Sequence, residues 1–428
     1  MKKDLTISND RRTFLKKLLV GTAATFTVPA FAAQNEEELH EALSSFQAPG
    51  DEAYWEMVKR QFPVPGNLIM MNAANLCPAP YAIAQSVKDT LDDLGKDVSF
   101  QFRDKFDQTR VVSILQLASY FGVTKEEIGI TRNTSESNNI IVNGFDFKAG
   151  DEVIVWDQSH PSNNIAWEQR AKRFGFTVKK VSVPANPKSI AELIQPFEQA
   201  ITSRTRLIGF SHVSNLSGIA LPAKELCAMA RSKKILTLVD GAQSFGFMDL
   251  NLRDLGCDFY TGSTHKWLMG PLENGVLYVR KESMDKLWPL IISAGWHEAP
   301  TNTDDKYCIV GQRNESTPVA IPETIQFHMV IGKRNIEDRV RALNAYLKAQ
   351  IQTKLPQATF VTPLAPEMSG GITVFNIPNK PSTDIYQKLY QSYGIAGAST
   401  MGVRLSPNVY NTMAEIDKAV EAVKSCIA

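Results

Sequence analysis

The sequence predicts an α/β protein, a mostly parallel sheet sandwiched by helices, with a smaller α+β domain at its C-terminal end. Three observations lead there. Short apolar runs recur through the middle of the chain, at 128–130, 152–156, 176–181, 206–213, 236–240 and 275–279. Segments of helical periodicity at 163–173 and 189–201 fall between successive runs, and strands joined through helices pair in parallel because only a crossover returns the chain to the same end of the sheet. Beyond residue 330 the pattern changes: Ile336, Val340, Leu343, Leu347 and Ile351 recur at helical spacing, and one further strand-like run follows at 368–376.

The chain has 428 residues, 43% of them hydrophobic, with 46 Lys and Arg against 45 Asp and Glu. That length accommodates a large domain and a smaller one with ample core. The balanced charge speaks against a nucleic-acid partner, whose phosphates call for a basic surface. Cys77, Cys227, Cys257, Cys308 and Cys426 are scattered, without a C-x-x-C pair or a Cys/His cluster at zinc spacing. No metal site is expected, and the thiols read as free and mostly buried.

The first 33 residues stand apart. Arg11-Arg12-Thr13-Phe14-Leu15 is followed by the apolar stretch 18–24 and by Ala30-Phe31-Ala32, a small-x-small cleavage pattern. This resembles a twin-arginine signal peptide, which implies export of the folded protein by the twin-arginine machinery, cleavage near Ala33 and a periplasmic location. No later stretch approaches the roughly 20 apolar residues of a membrane span, so stable membrane insertion of the mature chain is not expected. Residues 34–75 read as an N-terminal helical segment packing on the small domain. Trp55 and Phe62 dock on the body of the protein, and Pro63-Val64-Pro65-Gly66 ends the stretch. Residues 76–317 form the expected large domain, and 318–428 the bridging helix and small domain.

The chemistry converges on Lys266, in the loop Gly262-Ser263-Thr264-His265-Lys266. An amine in a loop packed between buried strands is desolvated, its pKa falls, and it can capture an aldehyde as a Schiff base. Asp240 closes the run 236–240, and the carboxyl ends of parallel strands are where ligands bind. A carboxylate there can pair with a pyridinium nitrogen and make the ring an electron sink. Lys266 and Asp240 together therefore point to pyridoxal 5'-phosphate. Upstream, the run 128–130 leads into Thr131-Arg132-Asn133-Thr134-Ser135-Glu136, which reads as a helix start. Its unpaired N–H groups and dipole make an anion site to which Thr134 and Ser135 add hydroxyl donors, and this suits the cofactor's phosphate.

Asp240-Gly241-Ala242-Gln243, Ser263-Thr264-His265-Lys266 and Gly270-Pro271 occur in this order and resemble the class V aminotransferases of fold type I. That family includes cysteine desulfurases, kynureninase and isopenicillin N epimerase. The resemblance runs from about Asn72 to the C-terminus. It implies the fold-type-I architecture with a seven-stranded-type sheet, an amino-acid substrate, and a homodimer that shares its active sites. It also implies roles for particular residues. Ser263 and His265 close the phosphate cup opposite Thr134 and Ser135, His160 stacks on the pyridine ring, and Asn215 and Gln243 hydrogen-bond the phenolic oxygen. Thr317 lies in a loop that crosses to the partner subunit's phosphate. Arg404 grips the substrate carboxylate, for which its planar fork is suited. Asn75 belongs to the entry motif Asn72-Ala73-Ala74-Asn75, which lines the substrate side of the pocket.

One departure matters. Cysteine desulfurases carry a nucleophilic Cys upstream of that arginine, where this chain has Gly397-Ala398-Ser399-Thr400-Met401. The segments 131–136 and 404–412 look most like the isopenicillin N epimerase branch. The expectation is an enzyme acting at the α-carbon of an amino acid, epimerase-like, with Lys266 and Asp240 as the catalytic pair. A transaminase or β-lyase of the same family is the alternative, and an exported PLP-fold binding protein without catalysis is the alternative from another class. Epimerisation needs a second acid on the far face, and the sequence identifies none.

Overall fold

A computed structural model describes residues 51–427 apart from 295 and 297–301. The expected signal segment and the start of the N-terminal helical stretch, up to residue 50, lie outside the described residues.

Helix α1 (Glu52–Lys59) begins at Asp51, whose carboxylate accepts from the Ala53 N–H at 2.9 Å, and it ends on Lys59, so both termini carry the charge that the helix dipole favours. Tyr54, Trp55 and Val58 form its buried face. Glu52 pairs with Arg339, and Lys59 reaches Glu415 at 2.7 Å, which lays the helix on the C-terminal part of the chain. Phe62 stands edge-on to Phe327 and Tyr410, with centroids 5.8 and 5.1 Å away. β1 (Ile69–Met70) follows.

After helices at Tyr81–Lys96 and Phe100–Phe121 the large sheet begins. Its strands are β2 (Ile128–Thr131), β3 (Glu152–Trp156), β4 (Thr177–Val181), β5 (Thr205–Ser211), β6 (Leu236–Asp240), β7 (Phe259–Ser263) and β8 (Gly275–Val279), in the spatial order β2-β8-β7-β6-β5-β3-β4. Neighbours are parallel except around β8, which runs against both β7 and β2. The connection 264–274 holds no helix, and without a crossover the chain comes back in the opposite direction. Alternate residues serve opposite faces. Ile154, Trp156, Phe210, Val239 and Tyr260 pack in one core, and Val153, Val155, Leu207, Leu238 and Phe259 in another. Burying such side chains stabilises by about 1.5–3 kcal/mol each, which makes the sheet a rigid base for its ends.

Those ends gather at one edge, where β2, β3, β5, β6 and β7 finish on Thr131, Trp156, Ser211, Asp240 and Ser263. α2 (Thr134–Gly144) starts just beyond β2, and α3 (Pro161–Phe174) just beyond β3. Gly275 lets the turn after β2 lie across the start of β8: a Cβ there would meet Thr131 Oγ1 at 2.5 Å and the Asn133 backbone at 2.7 Å. The close approach carries Thr134 to Ser263.

α4 (Lys333–Lys354) has the expected apolar face, with Ile336, Val340, Leu343, Leu347 and Ile351 fully buried. Beyond it come β9 (Thr359–Phe360), β10 (Thr373–Asn376), β11 (Ile395–Ala396), β12 (Ala398–Ser399) and β13 (Val403–Leu405). β12, β13, β10 and β9 form an antiparallel sheet in that order, while β11 pairs in parallel with β1. α5 (Met413–Ile427) packs with α4 around Leu343, Leu347, Ile416 and Val420. The strand expected at 368–376 starts only at Thr373, because the residues before it are spent on a different contact. Met368 accepts from the Ala220 N–H, and the Gly370 N–H donates to Gly218, so this stretch binds the small domain to the loop after β5.

Candidate active site

Lys266 is held by a compact turn at the end of β7. Thr264 N–H donates to Asn274, Met269 N–H to the Lys266 carbonyl and Gly270 N–H to Thr264. Burial lowers the Lys266 pKa from the usual lysine range; the Asp240 charge opposes this, and the Arg404 charge reinforces it. Asp240, the last residue of β6, is 2% exposed. Its Oδ1 accepts from the Ala242 N–H at 3.0 Å and its Oδ2 from Asn138 Nδ2 at 2.9 Å. A Cβ on Gly241 would strike the Tyr260 ring at 2.0 Å, so the chain can turn away from the strand immediately after the acid only with glycine there.

Seven of the residues singled out in the sequence, Thr134, Ser135, His160, Asp240, Ser263, His265 and Lys266, line one cleft of about 180 Å³. A larger cleft of about 610 Å³ lies beside β2, where Arg110 pairs with Asp304 at 2.7 Å; none of the expected site residues lines it. In the smaller cleft, Asn133 caps α2 by accepting from the Glu136 N–H at 3.0 Å. Thr134 gives its N–H to Ser263 Oγ at 2.8 Å, and the two hydroxyls lie 2.6 Å apart. Ser135 Oγ donates to Ser162 Oγ at 3.3 Å. The His265 pKa is pushed down to about 4, first by burial and then by the Lys266 charge. Its Nδ1 is buried without a hydrogen-bond partner among the described residues. His160 caps α3, with Nδ1 at 2.7 Å from the Ser162 hydroxyl and accepting from the Ser162 N–H at 3.2 Å. Burial and then the Lys266 charge lower its pKa, against the pull of Asp240.

Arg404 lies on β13 at 5% exposure. Nη1 donates to the Asn215 carbonyl and Nη2 to Asn72 Oδ1, both at 2.9 Å, while Nε is buried without a partner among the described residues. Burial brings its pKa down to about 10.

Against this geometry the comparisons with known proteins are specific. The model of the aminotransferase class-V family matches residues 94–419. The chain belongs to the aminotransferase class-V family. It is 31% identical over 328 residues to the isopenicillin N epimerase of Streptomyces clavuligerus, covering 72% of this chain and 82% of that protein. It is 26% identical over 403 residues to a probable cysteine desulfurase of Methanothermobacter thermautotrophicus, covering 86% and 97%. Among solved structures, C-DES in a form with glycine covalently linked to its PLP cofactor superimposes with a TM-score of 0.78 at 22% identity, over 85% of this chain and 98% of that one. The fold is that of fold-type-I PLP enzymes, and this class-V member is a pyridoxal 5'-phosphate-dependent enzyme. The residues present fit that cofactor: one cleft offers a helix amino terminus for a phosphate, an unpartnered imidazole nitrogen beside it, a desolvated amine for an aldehyde and a buried carboxylate for a ring nitrogen.

Four other expected residues do not line this cleft. Gln243 lies outside the cleft: Nε2 donates one hydrogen to the Ala74 carbonyl and Oε1 accepts from Trp267 Nε1, each at 2.8 Å. Asn75 is exposed, and it is Asn72 of the same motif that touches Arg404. Asn215 meets Arg404 through its carbonyl. Thr317 gives its carbonyl to Asn274 Nδ2 at 2.7 Å within its own chain and lies outside this chain's cleft, as a residue expected to serve the partner subunit's phosphate would.

Two further groups escaped the sequence reading. Asn138 reaches Asp240 from inside α2; its only signal was a run of polar residues, Ser135 to Asn139, in a helix that must also bury a face. Cys77, taken as one thiol among five, stands beside the lysine loop. Its N–H donates to the His265 carbonyl at 2.9 Å, and its Sγ accepts from Asn408 Nδ2 and the Tyr410 hydroxyl, both at 3.4 Å. Burial pushes its pKa up to about 11 despite those donors and the Lys266 charge. At pH 8, iodoacetamide will therefore modify Cys77 roughly a hundredfold more slowly than an ordinary thiol, since only the thiolate reacts. Timed digests read by mass spectrometry check this, and labelling as fast as that of a free cysteine peptide would contradict it.

Proposed function

We propose that this class-V enzyme moves the α-proton of an amino acid and acts as an epimerase. One observation carries the α-carbon chemistry: Lys266 and Asp240 line the same cleft, and the charges of Asp240 and Arg404 both act on the Lys266 amine. Pyridoxal phosphate, when bound, supplies an aldehyde that an amine can join and a ring that draws electrons from the α-carbon. Lys266 Nζ would hold the aldehyde and, once the substrate amine has displaced it, would take the α-proton as general base; inversion then requires a proton delivered to the opposite face by a second acid. Asp240 would pair with the ring nitrogen. Thr134, Ser135, Ser263 and His265 would hold the phosphate at the amino end of α2 and His160 would cover the ring, and Asn215 would serve the phenolic oxygen.

Arg404 would orient the substrate carboxylate with the remaining hydrogens of its terminal nitrogens. Hydrogen bonds to a charged group contribute about 1.5–3 kcal/mol. Arg404→Leu should therefore raise KM roughly 10- to 100-fold with a smaller change in kcat, and an unchanged KM in steady-state assays counts against the assignment.

Two features favour epimerisation over sulfur transfer. Where a desulfurase needs its thiol, Gly397-Ala398-Ser399-Thr400-Met401 offers only hydroxyls and a thioether, and Thr400 spends its hydroxyl on the Leu216 carbonyl at 2.8 Å. The 31% identity to an isopenicillin N epimerase points the same way. Two copies of the chain complete the site in this reading. Leu91, Val98, Phe100, Val111 and Leu115 face solvent in the single chain, and a second copy would cover such apolar surface and bring Thr317 to the neighbouring phosphate. Export through the signal read in residues 1–33 would place the dimer in the periplasm.

Heavy water tests the proposal. Holoenzyme is incubated with a panel of L- and D-amino acids in it, and α-deuteration with inverted configuration is the expected result. Keto-acid formation would make it a transaminase, and neither product would leave a binding protein.

A further inference from the structure

We infer that Asn138 is a positioning residue for Asp240, and that the Thr261 hydroxyl completes its anchorage. The three side chains form one directed chain of hydrogen bonds. Thr261 Oγ1 donates to Asn138 Oδ1 at 2.8 Å, and Asn138 Nδ2 donates to Asp240 Oδ2 at 2.9 Å. Asp240, Asn138 and Thr261 are 2%, 1% and 0% exposed, so the chain of bonds is shielded from bulk water.

The direction of the chain follows from the inventory of donors. An amide has a donor end and an acceptor end, while a carboxylate only accepts. Asp240 therefore demands the NH2 end of Asn138. The carbonyl end is then left buried and needs a donor, because an unsatisfied buried carbonyl is costly; Thr261, one strand over in register with Asp240, supplies it. With the Ala242 N–H on Oδ1, both carboxylate oxygens are gripped and the plane of the acid is fixed, leaving its remaining lone pairs for a donor in the cleft that Asp240 lines.

Asn138 also ties this grip to the opposite end of the site. It lies one turn after Thr134 on α2, and residues four apart share a helix face at a rise of about 6 Å. A single rigid element thus sets both the hydroxyl that meets Ser263 at the anion end of the cleft and the amide that orients the acid. Asp240's place beside the ring nitrogen, proposed above, underlies this role.

The test uses protein reconstituted with pyridoxal phosphate, in wild-type form and as Asn138→Leu, Thr261→Val, Thr261→Ser, the Asn138→Leu/Thr261→Val double variant and Asp240→Ala. The readouts are the visible absorption spectrum of the bound cofactor, its dissociation constant, and kcat and KM for α-deuterium exchange. Asn138→Leu should shift the visible band and lower kcat about 10- to 100-fold, the usual cost of losing a partner that orients a functional group, with KM nearly unchanged. Thr261→Val should move the same readouts in the same direction, lowering kcat roughly two- to tenfold, and Thr261→Ser should restore them. The double variant should be no worse than Asn138→Leu, since the hydroxyl acts only through the amide. A wild-type spectrum and kcat in Asn138→Leu, beside clear changes in Asp240→Ala, overturn the inference alone. If Asp240→Ala itself changes neither, the proposed role of Asp240 falls as well. Should Asn138→Leu fail to fold, the Thr261→Val and Thr261→Ser pair decides: equal spectra and rates overturn the inference.

Discussion

Lys266→Ala should yield a protein that loses its visible colour on dialysis and turns over at least about 10⁴-fold more slowly. Two effects combine in this one side chain. The amine is the covalent tether, and its removal leaves only non-covalent contacts to retain the cofactor. It is also the proton carrier, and a positioned acid or base contributes roughly 10²- to 10⁴-fold by itself. Borohydride reduction of the wild-type holoenzyme followed by peptide mapping places the label on Lys266; label on any other lysine removes the foundation of the functional proposal. The lowered pKa adds a pH dependence with a definite sign. Burial and the Arg404 charge favour the neutral amine, and Asp240 works against them. Capture of pyridoxal phosphate by the apoprotein should accelerate as pH rises and level off below 10.5, the ordinary value for a lysine. A rate still climbing beyond that point would show that the amine is not desolvated.

Asp240→Ala is expected to lower kcat by about 10²- to 10³-fold, in the range seen when a preorganised electrostatic contact to developing charge is removed. Its effect on the fold is smaller but measurable. The Ala242 N–H and Asn138 Nδ2 both lose their acceptor in a buried setting, and each unsatisfied donor costs about 1–3 kcal/mol. Denaturant titration alongside the exchange assay separates the two losses. A variant that is less stable yet keeps wild-type kcat would make Asp240 a structural acid.

Much of this site was legible before any coordinates because its residues follow apolar runs. Asp240, Ser263 and the Thr134 turn are polar groups at strand ends, and a buried strand constrains its sequence strongly enough to show where it stops. The direction of β8 was not legible, since Gly275 to Val279 is the same apolar run whichever way it lies; only the absence of a helix in 264–274 settles it. Hydrogen-bond partners were harder still. Asn72 and Asn75 are the same residue type three apart in one turn, and what separates them is that Asn72 meets Arg404 from β13 across the fold. The contacts that Gln243 makes with Ala74 and Trp267 were not legible either, since packing between distant segments decides them. Asn138 was hidden because a buried asparagine inside a helix is written in the sequence like an exposed one.

The pairing of β1 with β11 has a consequence for how the molecule is made. Ile69 must wait for Ile395, so during synthesis the first described strand emerges long before its neighbour exists. Long-range closures of this kind are late and slow steps in folding. The large sheet, whose strands all lie between these two residues, can assemble first, and the early segment is then sealed in place when the last part of the chain arrives. Loss of the final hundred residues would therefore release the beginning of the described chain along with its end.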